Sequence, residues 1–131
     1  MLNDIENIVF SRVKNQFSST LKAKYKDLHF TTSNRQPSTP KFPTVYIHMM
    51  LSPEQGQTLE NQTVNAVLST FRIEVYANDK QATAKEVSDE VLRIMKLMRF
   101  NVAGMPYFDN ESDTYRVVST YRRMIGANDV L

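Results

Sequence analysis

The segment Val64–Met98 limits the possible folds of this chain more than any other, because it joins a strand pattern directly to a helix pattern. Over Val64–Tyr76, residues suited to a strand alternate between two faces, as a repeat of two residues requires. The alternation stops at Ala77–Asp79, and over Lys80–Met98 apolar residues recur every three or four positions. A long strand followed at once by an amphipathic helix predicts a domain in which helices pack on a sheet.

The two faces of the predicted strand differ in chemistry. One face carries Val67, Phe71, Ile73 and Val75, and we expect it to border a core. The other face mixes apolar, polar and charged side chains, which predicts contact with water or with another subunit. Its residues are Leu68, Thr70, Arg72, Glu74 and Tyr76.

Further patterns predict a helix over Asn3–Tyr25, strands over Leu28–Thr32 and Thr44–Leu51, and a hairpin of Met105–Phe108 with Tyr115–Ile125. This order predicts an α+β fold, with an antiparallel β-sheet of about four to five strands packed by two α-helices on one face. At 131 residues the chain fits a single domain, 1–131.

Composition excludes several classes of protein. The chain has no cysteine, which removes disulfide frameworks and thiolate zinc sites. Its net charge of +2, from 16 basic and 14 acidic residues, gives no sign of a strongly basic nucleic-acid-binding protein. The acidic start Met1–Glu6 is unlike a signal peptide, and no apolar run approaches the roughly 18 residues of a membrane span. We therefore expect a protein folded in the cytoplasm without membrane association.

No catalytic or metal-binding pattern stands out. The two histidines, His29 and His48, fall on separate predicted strands, and no serine lies in a nucleophile elbow. Asp109, Glu111 and Asp113 alternate as in a calcium loop, but the glycine turn and distal glutamate of such a loop are missing. We interpret these carboxylates as the tip of a hairpin and predict neither an enzyme nor a cofactor or metal site.

Two groups of basic residues bear on nucleic-acid binding. Lys22, Lys24 and Lys26 lie at the end of the first predicted helix, and we interpret them as helix-end charges in preference to a phosphate-binding cluster. The second group belongs to the predicted sheet, where an exposed aromatic face would stack bases. It consists of Tyr76, Tyr115 and Tyr121 with Arg72, Arg116, Arg122 and Arg123. Tyrosine and arginine are also typical of protein interfaces, so both interpretations stay open.

Two long polar segments, Ser33–Pro43 and Ser52–Thr63, separate the predicted strands. Loops of about a dozen residues are uncommon inside compact domains and often serve a function. We expect these loops and the mixed face of the long strand to contact other subunits or partners. The candidate interface residues are Arg72, Glu74 and Tyr76 on the strand and Pro40, Phe42, Gln57 and Leu59 in the loops.

Four stretches, Pro40–Ile47, Phe71–Ala77, Ala84–Met95 and Tyr115–Arg122, carry a likeness to a known family. They resemble the tail terminator, or tail completion, proteins of long-tailed bacteriophages. The resemblance covers most of the chain in the order helix, strands, helix, hairpin. It is a likeness of pattern, since these proteins share few invariant residues and have no catalytic motif.

The resemblance implies a structural, head–tail joining role. Tail terminators form hexameric rings on the end of the tail tube, stop its polymerisation and present a surface to the head connector, while DNA passes through the lumen unread. It implies a virion protein, assembled in the host cytoplasm, that binds copies of itself, the tail tube protein and the head connector or stopper protein. The alternatives are a head-completion or stopper protein of the neck and a small nucleic-acid-binding module.

Overall fold

The computed structural model of the chain describes residues 5–32, 41–50, 66–110 and 114–126. Within these residues the α+β fold predicted from the sequence is confirmed. The helices are α1 (Ile5–Gln16), α2 (Ser19–Lys24) and α3 (Gln81–Leu97). The strands are β1 (His29–Thr31), β2 (Thr44–Met50), β3 (Ala66–Ala77), β4 (Asn101–Phe108) and β5 (Tyr115–Gly126).

The strands form one sheet in the order β1–β2–β3–β5–β4. The pairs β2–β3, β3–β5 and β5–β4 are antiparallel, but β1 runs parallel to β2, with Phe30 opposite Val45. The sheet is therefore mixed, and the prediction of a purely antiparallel sheet is wrong at this edge. Residues 32–43 separate β1 from β2, which is about the length that a parallel connection requires.

The predicted first helix is divided into α1 and α2, so the described residues hold three helices where the sequence predicted two. α1 ends at Gln16, and Ser18 caps α2 by accepting a hydrogen bond from the Leu21 backbone N–H at 3.4 Å. The buried Phe17 ring meets Phe30 edge-on at a centroid distance of 5.2 Å. Serine suits the break because its side chain competes with helical backbone hydrogen bonds and favours caps.

All three helices lie on one face of the sheet, and the hydrophobic core fills the space between the two layers. α3 buries an apolar stripe at helical spacing, as the sequence predicts. The stripe packs against rows of buried residues that stand opposite one another across β2, β3 and β5. The large, fully buried members of these rows are Val45 and Ile47 of β2, Phe71, Ile73 and Val75 of β3, and Tyr121 of β5.

Glu90 of α3 holds the break between α1 and α2 in place. Its carboxylate accepts the Ser18 backbone N–H at 2.8 Å and two hydrogen bonds from the Arg93 guanidinium at 2.8 and 2.6 Å. The hydrogen bonds from Arg93, opposed by burial and assisted by Ser18, hold the pKa of Glu90 below its ordinary value of 4.5. The ionised form of Glu90 is therefore favoured by folding.

We expect acid to destabilise the fold partly through Glu90. A carboxyl group with a lowered pKa in the folded state stabilises the protein above its unfolded pKa, and this contribution is lost as pH falls through the folded pKa. The free energy of unfolding should fall as pH is lowered from about 5 towards 3, and Glu90→Gln should flatten that dependence. Urea unfolding at several pH values measures this. Asp89→Asn, on the exposed side of the same helix, is the control, and an unchanged slope in Glu90→Gln would contradict the prediction.

Candidate functional site: the helix-free face of the sheet

The face of the sheet opposite the described helices is the candidate site. We call it the helix-free face and define it by the residues of β2, β3 and β5 that stand side by side on that surface. Glu74 and Val118 are buried, and the other residues are half-buried or exposed. The face comprises Thr44, Tyr46, His48 and Met50 of β2; Leu68, Thr70, Arg72, Glu74 and Tyr76 of β3; and Arg116, Val118, Thr120, Arg122 and Met124 of β5.

A buried carboxylate organises one half of this face. Glu74 accepts two hydrogen bonds from the Arg116 guanidinium, one of them from Nε at 2.7 Å, and a third from the Tyr76 hydroxyl at 2.9 Å. Arg116 also donates through Nη1 to Asp109 at 2.5 Å. The Glu74 side chain is 9% exposed and that of Arg116 is 16% exposed, so the pair is largely withdrawn from water. Residues of β3, β5 and the end of β4 thus form one fixed network.

Tyr76 contributes its hydroxyl group and its aromatic ring to this network. Its ring centre lies 5.8 Å from the guanidinium carbon of Arg116, directly across the strand pair. Burial, assisted by the hydrogen bond to Glu74, raises the pKa of Tyr76 to about 12. The phenol therefore keeps its proton in the physiological range and acts as a donor to the carboxylate.

In the other half of the face, one buried hydrogen-bond donor has no acceptor among the described residues. Arg72 stands between His48 on β2 and Thr120 on β5. Its Nε atom is buried and has no hydrogen-bond partner among the described residues. His48 in turn stacks on Tyr46, with ring centroids 5.7 Å apart. A buried N–H without an acceptor costs free energy, so an acceptor beyond the described residues would stabilise this half of the face.

Exposed apolar side chains lie at the same end of the sheet. Met50 and Met124 are 41% and 58% exposed and lie opposite Thr70 and Leu68, respectively, on β3. Large apolar groups that gather on one surface are typical of contact sites.

The residue types of the helix-free face match those of protein interfaces. Half of its fourteen members are tyrosine, methionine or arginine, and none is lysine. Interfaces are enriched in these three types and depleted in lysine relative to the rest of a protein surface. The composition of the face therefore favours contact with protein over contact with water alone.

Three of the residues predicted to form an interface lie together. Arg72, Glu74 and Tyr76 all occupy the helix-free face, as the alternation of the strand predicts. Glu74 is not a freely available surface charge, however, because it is committed to Arg116 and Tyr76. Of these three, Arg72 has an unused donor, but that Nε atom is buried.

The loop residues predicted to form an interface are either not part of the helix-free face or lie outside the described residues. Phe42 is half-buried just before β2 and is joined to Pro43 by a cis peptide bond. Pro40, Gln57 and Leu59 lie outside the described residues, as do most of the two predicted loops. Their predicted contacts with partners stay predictions.

Sequence analysis did not identify the partner of Glu74. Arg116 lies 42 positions away along the chain and approaches Glu74 diagonally across the β3–β5 pair. Only the register of that pair could have revealed the contact, because cross-strand neighbours are defined by register and not by sequence distance. Arg116 was also one of the arginines considered for a nucleic-acid-binding face, and its guanidinium is bound to two carboxylates.

The described residues form neither a cluster of metal ligands nor a helix that could cross a membrane. Across the described ranges, no three His, Asp or Glu side chains come together to hold a metal ion. No helix in this part of the chain is long and apolar enough to cross a membrane. Comparison with protein-family models and with curated proteins finds no match for this chain. Its function therefore has to be inferred from its surfaces.

Proposed function

We propose that this protein is a tail terminator: a virion protein of a long-tailed bacteriophage that acts by self-assembly and not by catalysis. In this proposal six copies close into a ring on the end of the tail tube and stop its polymerisation. The ring then joins the tail to the head connector or stopper protein, and DNA passes through its lumen without being read. The resemblance of four stretches of sequence to tail terminators supplies this hypothesis.

The observation that carries the proposal is the composition of the helix-free face. A sheet face of tyrosine, methionine and arginine without lysine supports protein contact as the role of this surface. The exposed methionines add apolar area that a partner can cover. These features support a protein whose work is done by binding other subunits.

The two halves of the helix-free face contribute differently to the proposed ring interface: one half is rigid and the other provides side chains for contact. A closed ring needs two different surfaces on each subunit that bind one another. The network around Glu74 keeps one half of the helix-free face in a fixed shape, while the exposed side chains of Arg122, Met50 and Met124 offer attachment points. We expect the neighbouring subunit to supply a carboxylate or carbonyl oxygen to the exposed Arg122 and to cover Met50 and Met124.

A double substitution on β5 tests this assignment. Arg122 and Met124 are exposed on the helix-free face and outside the Glu74 network. We expect Arg122→Glu with Met124→Asp to abolish ring formation, alone or with tail tube protein, because acidic groups would replace a cation and an apolar contact. The folded subunit should keep its stability, because surface changes away from special contacts usually alter it by less than about 0.5 kcal/mol. Light scattering after size-exclusion chromatography measures the assembly.

Lys96→Glu with Leu97→Asp is the matched control. Both residues are exposed at the end of α3, on the opposite layer, and the pair changes the net charge by the same amount. The control should assemble like the wild type. Normal assembly of the β5 variant, or loss of assembly only in the control, would contradict the assignment. Rings that bind the head connector but not the tail tube would instead identify a stopper protein.

A further inference from the structure

A basic cleft opens away from the helix-free face, where the ends of α1 and α2 meet β1. Its volume is about 370 Å³. Lys14 of α1, Lys22 of α2, Lys26 and His29 line it, together with the aromatic residues Tyr25 and Phe30. All of these residues lie in the described segment 5–32.

The charge of the cleft is of one sign. No acidic residue lines it, and its three lysines form no ion pair with any described carboxylate. Lys24, the lysine between them in sequence, is bound to Glu86 at 3.0 Å and does not line the cleft. Three ammonium groups around one concave surface repel each other, and a bound anion would relieve that repulsion.

Helix-end stabilisation explains only part of this cluster. Lys14 and Lys22 lie in the last turns of α1 and α2, where cations are favoured. Lys26 and His29 follow α2 and belong to neither helix, yet they line the same cleft. Lys22 and Lys24 are helix-end charges, as the sequence predicts, whereas Lys26 lies beyond the end of α2.

The wall of the cleft is apolar and is formed by the half-buried Tyr25 and Leu28. The Tyr25 hydroxyl donates to Glu86 at 2.5 Å and Lys24 Nζ lies 5.3 Å from the ring centre, and these two contacts fix the tyrosine ring. A lone phosphate ion, comparable in size with two or three waters of about 30 Å³ each, would leave most of the cleft empty. A ligand that joins a phosphate to a flat apolar ring would use both the lysines and the apolar wall.

We propose that this cleft binds a nucleotide phosphate, either of a free mononucleotide or of a single-stranded nucleic acid. The lysines hold the phosphate as point charges, and the base lies against the half-buried side chains of Tyr25 and Leu28. The site is separate from the helix-free face and does not depend on the proposed role in tail assembly.

Fluorescence anisotropy with a labelled single-stranded oligonucleotide at low salt tests the site. We expect salt-sensitive binding that weakens at least about tenfold when Lys14, Lys22 and Lys26 are all changed to alanine. The slope of log K against log salt should become shallower by about 0.7, the value for one phosphate contact on a single strand. The control changes Lys41, Lys85 and Lys96 to alanine, which removes the same charge from exposed positions elsewhere, and it should bind within about threefold of wild type.

Changes in backbone amide NMR chemical shifts locate the binding site and distinguish a free nucleotide from a single strand as the ligand. With either probe we expect the shifted signals to fall on Lys14 and on residues 22–30. Shifts with adenosine monophosphate as well as the oligonucleotide assign a site for single nucleotides, and shifts with the oligonucleotide alone assign a strand-binding site. The proposal is overturned by absence of binding at low salt, by equal loss in the control variant, or by shifts centred on Arg72 and Arg122. None of these results bears on ring assembly, which is measured separately.

Discussion

Arg116→Met is expected to lower the free energy of unfolding by about 3–5 kcal/mol, the usual cost of removing one partner of a buried ion pair. The substitution leaves the Glu74 carboxylate, 9% exposed, with the Tyr76 hydroxyl as its remaining side-chain donor among the described residues. Desolvation of a charge is costly when its counter-charge is gone, and salt screens such a buried site only weakly. Urea unfolding at neutral pH measures the loss.

Two further variants separate the buried charge from general damage. Lys85→Met removes the cation from an exposed pair with Asp89 and should cost less than about 1 kcal/mol. Glu74→Leu combined with Arg116→Met removes both charges and should recover most of the stability, because apolar replacement of a buried pair is often neutral or favourable. A double variant as unstable as Arg116→Met alone would contradict the assignment of the cost to the unpaired carboxylate.

Glu74 is an unsuitable position for testing the interface, because its side chain belongs to the buried network. Charge reversal at Glu74 would place a cation beside Arg116 inside the sheet, so any loss of assembly would report on folding. Arg122 and Met124 avoid this difficulty because they are exposed and outside the network. Assembly tests on the helix-free face are therefore informative on β5 and not at Glu74.

Phe71→Ala is expected to destabilise the fold by about 3–5 kcal/mol through the cavity that it leaves. Phe71 is fully buried under the centre of the sheet, opposite Tyr121 on β5, and its ring meets Phe100 edge-on at a centroid distance of 5.6 Å. A loss of this size is a large fraction of the roughly 5–15 kcal/mol that stabilises a typical domain. Thermal unfolding followed by circular dichroism should show a lower melting temperature.

Leu97→Ala is the control for the loss of apolar atoms. Leu97 lies in the last turn of α3 and is 62% exposed, so its truncation should change stability by less than about 0.5 kcal/mol. Phe71→Leu keeps much of the buried volume and should recover part of the loss. If Phe71→Ala were as stable as Leu97→Ala, the core would not lie between the helices and the sheet at this position.

The parts of the fold that depend on local periodicity were predictable. The alternation in β3 identified both its faces, and the apolar repeat identified α3 to within one residue of its start. Both patterns are long, so period and length agree. The placement of Arg72, Glu74 and Tyr76 on one surface follows directly from the repeat of two residues.

The parts that depend on distant contacts were not predictable. The break at Ser18 coincides with a hydrogen bond to Glu90, 72 positions away, and the parallel pairing of β1 concerns a strand of only three residues. Likewise the Glu74–Arg116 pair needs the β3–β5 register, and the basic cleft needs the positions of α1, α2 and β1 relative to one another. Sequence patterns describe single elements, whereas these features belong to pairs of elements.

Electron microscopy of the purified protein mixed with the tail tube protein of the same phage tests the central proposal most directly. We predict annular particles with a central channel, seated on one end of tubes that have stopped growing. Particles that never become annular in the presence of their tube, with tubes that lengthen as they do without the protein, would contradict the proposal.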